Sequence, residues 1–118
     1  MRTIVETPTF AKIADDLMSE ADLEEVKDQL ARHPDAGNLV AKTGGFRKIR
    51  GRRRGIGKRG GVRVFYYPCK RKQRPIYLVM CVAKADDEPL SEAQCERLKE
   101  LAKEFDTANV VLLKGGTA

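Results

Sequence analysis

The eight residues from Ile76 to Ala83 form the longest uninterrupted apolar run in this chain of 118 residues. Such a run has the length of a β-strand and falls far short of the roughly 20 residues that a membrane-spanning helix needs. Because its two faces are both apolar, we expect residues 76–82 to form the central strand of a sheet covered on both sides. The chain length predicts a single domain over residues 1–118, in which residues 106–118 stay unassigned between helix and strand.

Amphipathic helices are predicted both before and after this strand in the sequence. The first has Thr7 as its N-cap and an apolar stripe at helical spacing over residues 10–17. The second is expected to open with a capping-box-like pair, Asp22 and Glu25, and to end where Pro and Gly follow residue 33. A capping box of Ser91 and Gln94 predicts the start of a C-terminal helix.

Three further stretches are predicted strands, namely residues 2–6, 46–50 and 62–67. The glycine-rich segment 51–61 between the last two is expected to be a flexible basic loop. The resulting order is strand, two helices, three strands and helix. It predicts an α+β fold in which a small antiparallel sheet carries two N-terminal helices and a C-terminal helix.

The distribution of charge indicates the kind of partner. Residues 36–85 hold 15 Lys and Arg and no Asp or Glu, whereas the flanking segments carry net charges of −5 and −4, which leaves +6 overall. A basic block of this size indicates a polyanionic partner, and nucleic acid is the first candidate. An anionic membrane surface is a weaker alternative because no basic amphipathic helix accompanies the block, so we expect a soluble, cytoplasmic protein with no membrane association.

Two other kinds of site are disfavoured. Residues 55–60 match G-x-G-x-x-G, but they lead into a strand instead of a helix, so a dinucleotide site is not expected. The three cysteines lack paired spacing, and the single histidine, His33, precedes a proline. We therefore expect neither a metal nor a cofactor, and we expect the cysteines to act as small apolar residues.

The basic segments are interpreted as a clamp for a phosphate backbone, since Arg offers a planar fork and Lys a compact charge. Tyrosines in the strands, Tyr67 among them, are candidates for stacking on bases, although most strand tyrosines pack in the core. A solvated basic surface that only aids solubility is the simpler alternative. The candidate cations on the strands and the loop are Arg47, Lys48, Arg50, Arg52, Arg53, Arg54, Lys58, Arg59, Arg63 and Lys84.

Three motifs resemble one known family. Residues 43–50 read T-G-G-F-R-K-I-R, residues 57–64 read G-K-R-G-G-V-R-V, and residues 82–91 pass through an acidic loop to Leu-Ser. This combination is similar to the HigB branch of the RelE/ParE toxin superfamily over about residues 3–105. The resemblance implies the toxin of a type II toxin–antitoxin system, with a RelE-like fold. Such a toxin is a ribosome-dependent endoribonuclease that cuts mRNA in the A site and arrests translation.

By motif position, the resemblance implies that Lys48, Arg50, Arg63 and Lys84 are catalytic. It implies RNA contacts instead of a chemical role for Arg47, Lys58 and Arg59. Arg52, Arg53, Arg54 and Tyr67 remain candidate RNA contacts from their own chemistry and position. Metal-free cleavage would proceed by attack of the 2′-hydroxyl on the adjacent phosphate. We expect crowding by Arg47, Arg50 and Arg63 to favour a neutral Lys48 that accepts the proton, while Arg63 stabilises the transition state and Lys84 protonates the leaving oxygen.

The resemblance also implies the partners: mRNA on the ribosome, and a cognate antitoxin that in this branch usually carries a helix-turn-helix DNA-binding domain. The alternative class is non-catalytic. It comprises a ParE-like inhibitor of DNA gyrase and a basic RNA-binding module. The basic R-K-I-R and G-K-R-G-G-x-R segments favour RNA cleavage over gyrase inhibition.

Overall fold

A five-stranded mixed sheet forms the centre of the protein. The computed structural model describes residues 1–55 and 57–108, and for residues 57–60 it describes only the backbone. The strands run in the spatial order β1-β5-β4-β3-β2. Their bounds are β1 Ile4–Glu6, β2 Asn38–Leu39, β3 Arg47–Arg53, β4 Gly57–Pro68 and β5 Ile76–Ala83.

Three α-helices accompany the sheet: α1 Pro8–Leu17, α2 Glu20–Arg32 and α3 Glu92–Thr107, with a short 3-10 helix at Lys84–Asp86. Thr7 caps α1 by accepting a hydrogen bond from the Phe10 amide. The predicted capping box of α3 is confirmed, because Ser91 and Gln94 each bond the other's backbone amide. The predicted α+β class is also confirmed, and the described residues contain the three α-helices that the sequence predicts.

The sheet divides the core into two apolar clusters. The helices α1 and α2 pack on one face, where Phe10 and Leu30 meet Tyr66 and Leu78. The helix α3 packs on the opposite face, where Leu98 lies with Tyr67 and Tyr77. We call this second face the α3 face. Adjacent residues such as Tyr66 and Tyr67 fall into different clusters because side chains alternate along a strand.

Two predictions about the sheet are wrong. The sheet is mixed, because β1 runs parallel to β5 with Ile4 opposite Ile76. A parallel pair needs a long connection, and the helices and strands between β1 and β5 provide one. The middle strand is β4 instead of β5. The apolar character of β5 reflects cover by helices on both faces, as predicted, and not a central position.

Two local predictions also need correction. Most of the expected flexible loop at 51–61 is strand, because β3 and β4 stay paired beyond Gly51 and Val62 as far as Arg53 and Gly57. Gly55 takes a positive φ of 73° in the turn between these two strands. The N-cap of α2 is Ser19, whose hydroxyl accepts from the Asp22 amide, so Asp22 lies inside the helix. The unassigned tail falls largely on residues 109–118, which lie outside the described residues.

Tyr66 and Tyr77 provide a matched test of this core. The buried hydroxyl of Tyr66 accepts from the Gly37 amide at 2.9 Å and donates to the Pro34 carbonyl at 2.8 Å. The buried hydroxyl of Tyr77 has no hydrogen-bond partner among the described residues. We expect Tyr66→Phe to lower the free energy of unfolding by about 1–3 kcal/mol, because it leaves the Gly37 amide unsatisfied. Tyr77→Phe should change it little; equal losses in urea denaturation would contradict this assignment.

Stability should also fall at alkaline pH. Burial raises the pKa of Tyr66 and of Tyr77 above 10.0, and it raises the pKa of the Cys81 thiol to about 11. In the unfolded chain these groups lose protons at their ordinary pKa values, so their contribution is fully present below about pH 9 and is lost as pH rises through the folded values. Urea denaturation at about pH 8 and pH 10.5 measures this. An unchanged free energy of unfolding would contradict it.

Candidate functional site

The pairing of β3 with β4 brings three of the predicted catalytic cations to one face. Lys48 lies opposite Phe65, and Arg50 lies directly opposite Arg63. Residues opposite one another in an antiparallel pair project to the same face, and alternation with Tyr67 makes this the α3 face. We call Lys48, Arg50 and Arg63 the basic row. The row therefore lies on the same face as α3, between Phe46 and Tyr67 and the turn of the β3–β4 hairpin.

A carboxylate that the sequence analysis did not single out neutralises part of this row. Asp87 Oδ2 lies 3.0 Å from Lys48 Nζ and 4.0 Å from Arg63 Nε. The side chains of Asp87 and Arg63 are both only 15% exposed. Asp87 reaches this position because the chain turns through the 3-10 helix directly after β5, where its amide bonds the Lys84 carbonyl. One carboxylate thus stands between two cations.

The surroundings of Lys48 differ from the sequence-based expectation. Lys48 Nζ donates to Asp87 and lies 5.5 Å from the centre of the Phe65 ring. Arg47 is the neighbour of Lys48 in the strand, so it projects to the opposite face and does not crowd Lys48. The prediction that three arginines surround Lys48 is therefore wrong for Arg47. In this arrangement Lys48 is a hydrogen-bond donor.

Like charges directly opposite one another weaken a sheet, and Arg50 and Arg63 form such a pair. Only one carboxylate, Asp87, forms an ion pair with the row among the described residues, and it reaches Lys48 and Arg63 but not Arg50. A fold gains no stability from this concentration of positive charge. The arrangement is typical of a site whose counter-charge arrives with a ligand.

Lys84 completes the predicted catalytic set at a cleft beside the hairpin. This cleft, which we call the basic cleft, has a volume of about 350 Å³. Four of its lining residues are cations from the strands and the 3-10 helix, Arg50, Arg52, Arg63 and Lys84, and we call this set the cationic wall. Asp22, Glu25 and Gln29 of α2, at helical spacing, also line the cleft and form what we call the α2 wall, and the remaining lining residues are Val26, Gly51 and Gly61. Although α2 packs on the face opposite α3, it comes close to β3 here, since a Cβ at Gly51 would lie 3.3 Å from Val26 Cγ2.

Several predicted RNA-binding arginines have structural partners. Arg47 donates to the Gly37 carbonyl at 2.7 Å, which fixes the segment after α2 against β3. Arg54 donates to the Asp15 and Met18 carbonyls at 3.0 and 2.9 Å, near the C-terminal end of α1. These bonds satisfy backbone acceptors, so Arg47 and Arg54 support the fold whatever else they contact.

The remaining predicted RNA-binding cations differ in what the structure describes of them. Arg52 is exposed and lines the basic cleft, while Arg53 is half-buried at the end of β3. Lys58 and Arg59 have their backbone in β4, but their side chains lie outside the described residues.

Tyr67 is a core residue and not a stacking platform. It is 1% exposed, its ring lies 5.2 Å from Phe46, and its hydroxyl donates to Asp106 at 2.5 Å. Burial is the main cause that raises the pKa of Tyr67 well above its usual range, and the Asp106 carboxylate acts in the same direction. No face of the ring is open to a base, so the prediction that Tyr67 stacks on RNA is wrong.

Sequence reasoning missed the carboxylates that face the cations. Asp87 belongs to the first group of acidic residues after the 50 residues that contain no Asp or Glu. This position directly after the basic segment could have identified it as a partner of the cations. Asp22 and Glu25 gave no such signal, because they belong to a helix with many acidic residues and reach the cleft only through the tertiary structure.

No model of a known protein family matches the chain. Within the described residues, no group of three or more His, Cys, Asp or Glu side chains is arranged to hold a metal ion. No described helix combines the length and the apolar character needed to cross a membrane.

Asp87 should compete with an external phosphate for Lys48 and Arg63. We expect Asp87→Asn to tighten binding of single-stranded RNA about two- to fivefold, because a partly exposed ion pair contributes up to about 1 kcal/mol. Fluorescence anisotropy at fixed salt measures this. Glu88→Gln is the matched control, since it removes the same charge from an exposed neighbour. Weaker binding by Asp87→Asn would mean that Asp87 holds the cations in place instead of competing.

Proposed function

We propose that this protein is the toxin of a type II toxin–antitoxin system and acts as a ribosome-dependent endoribonuclease on mRNA. The observation that carries the proposal is the opposed pair of Arg50 and Arg63 beside Lys48, on one face of the sheet. This pair stands in the two motifs that resemble the HigB branch of the RelE/ParE superfamily, R-K-I-R and G-K-R-G-G-x-R.

The chemistry of RNA cleavage matches what these residues offer. Lys48 accepts the proton of the 2′-hydroxyl as the 2′-oxygen attacks the adjacent phosphorus. The bond to the 5′-oxygen breaks and the leaving oxygen takes up a proton, so that a 2′,3′-cyclic phosphate and a 5′-hydroxyl result. Negative charge builds on the phosphate oxygens in the transition state, and cations held in place stabilise it. Arg50 and Arg63 supply this stabilisation with guanidinium groups that suit phosphate oxygens, and Lys48 adds a third charge once it has taken up the proton.

Lys84 is the proposed proton donor to the leaving oxygen. It is exposed and lies in the wall of the basic cleft that also contains Arg50 and Arg63. A general acid must reach the leaving oxygen while other groups hold the phosphate. Lys84 suits this role because it lines the same cleft as Arg50 and Arg63.

The resemblance implies the partners of the protein, and its charge distribution is compatible with them. The mRNA on the ribosome supplies the phosphate that displaces Asp87 from Lys48 and Arg63. A cognate antitoxin neutralises the protein by covering the basic row or by blocking entry to the ribosome. Asp87, which follows the 3-10 helix, pairs with Lys48 of the row, so a protein that covers the row would also contact this segment.

A non-catalytic RNA-binding module is the second candidate. It is favoured by one observation: Asp87 occupies Lys48 and Arg63, which leaves Arg50 and Lys84 as the members of the predicted catalytic set without an ion-pair partner among the described residues. Such a protein would bind RNA with strong salt dependence and leave transcripts intact.

Inducible expression with mapping of mRNA 5′ ends tests the proposal. We expect new ends within translated frames, and we expect Arg63→Ala to reduce the cleavage rate about 10²–10³-fold through the loss of a transition-state donor. Lys48→Ala should also reduce cleavage. Lys72→Ala is the control, because it removes an exposed cation of the same basic segment that lies outside the basic cleft.

Each contrary outcome has a distinct meaning. Intact transcripts together with RNA binding would establish the non-catalytic module. Intact transcripts with an induced DNA-damage response would favour gyrase inhibition. Folded Lys48→Ala and Arg63→Ala proteins that cleave at the wild-type rate would show that the catalytic assignment is wrong.

A further inference from the structure

We infer that the basic cleft is a nucleotide-binding subsite in which Glu25, assisted by Asp22, selects guanine. This inference rests on the proposed function and adds base selectivity to it. The supporting observation is the juxtaposition of a cationic wall from the sheet and an acidic stripe from α2 across one cleft.

The dimensions of the cleft suit a single nucleotide. Its volume of about 350 Å³ lies at the lower end of the range of about 300–1,000 Å³ that is typical of small-molecule sites. Two of the residues that line the cleft, Gly51 and Gly61, are glycines. A Cβ at Gly61 would come within 2.6 Å of the Gly51 carbonyl oxygen, so this position excludes side chains.

The two walls carry opposite charge and are not joined. Among the described residues no ion pair links Asp22 or Glu25 to the cations on the other side. Their neighbours on α2 differ in this respect, since Glu24 pairs with Lys27 and Asp28 pairs with Arg32. With respect to the cations whose side chains the structure describes, the carboxylates in the cleft therefore remain available as acceptors.

A nucleotide complements both walls at once. Its phosphate carries negative charge and matches Arg50, Arg63 and Lys84. Its base edge then faces α2, where carboxylates accept hydrogen bonds but cannot donate them. Guanine fits this wall best, because its Watson–Crick edge presents two adjacent donors, N1–H and the N2 amino group, to one carboxylate. Adenine, cytosine and uracil each place an acceptor within that edge and meet the carboxylate with repulsion.

Titration of nucleoside 3′-monophosphates into the full-length protein tests the inference, with NMR amide shifts as the readout. We expect guanosine 3′-monophosphate to bind at least about tenfold more tightly than the adenosine, cytidine and uridine forms, as is typical of a bidentate contact to a base. Amide shifts should cluster at Glu25, Gly51 and Arg63.

Two variants separate base selection from phosphate binding. Glu25→Gln should reduce guanosine monophosphate affinity to about that of the adenosine form and leave the uridine form nearly unchanged. Glu24→Gln is the matched control, because it neutralises the adjacent carboxylate that lies outside the cleft. Arg63→Ala should weaken all four nucleotides by a similar factor.

The inference and the proposed function fail in different ways. Equal affinity for the four nucleotides, shifts away from the cleft, or guanine selectivity that survives Glu25→Gln combined with Asp22→Asn would overturn the inference, even if mRNA is cut. Guanine-selective binding without any cut transcript would overturn the nuclease and leave the subsite in place. If both hold, mapped cut sites should carry guanine at a fixed offset, and Glu25→Gln should remove that preference.

Discussion

The register between β3 and β4 is the constraint on which the site depends. It places Ile49 opposite Val64 on the face of α1 and α2, and Arg50 opposite Arg63 on the α3 face. A slip of one residue would send the apolar set to the α3 face and the cations into the core, and burial of unpaired charge forbids this. Packing of the first apolar cluster therefore fixes the position of the basic row.

The α3 face performs two tasks along the length of the hairpin. Near the open end of the hairpin, Phe46 and Tyr67 pack with Leu98 and Phe105, which attaches α3 to the sheet. Toward the turn, the same face carries Lys48, Arg50 and Arg63. The aromatic contacts with α3 stabilise the same strands that carry the cations. The cations therefore lie on strands and not on loops. Rigid mounting is what charge stabilisation of a transition state requires.

The cations of the site repel one another, and few carboxylates of the described residues lie close enough to offset this repulsion. Arg50 and Arg63 repel one another, and Asp87 offsets part of this by pairing with Lys48 and Arg63. A carboxylate and a phosphate present similar acceptors to these cations, so the same pair that steadies the free protein opposes a polyanionic ligand. Across the basic cleft, Asp22 and Glu25 face cations without closing on them.

The sequence by itself determined the helices and the strand β5, because apolar periodicity and capping residues act locally. The three helices, the strand at residues 76–83 and the capping box at Ser91 follow from neighbours a few positions apart. The concentration of Lys and Arg in residues 36–85 also follows directly from the sequence. Only the tertiary structure decided which of them meet: Arg50 with Arg63, Asp87 with Lys48, and Glu25 across the cleft from the cations. These contacts depend on strand register and on helix placement, which packing of the whole core sets, and no local pattern encodes that packing.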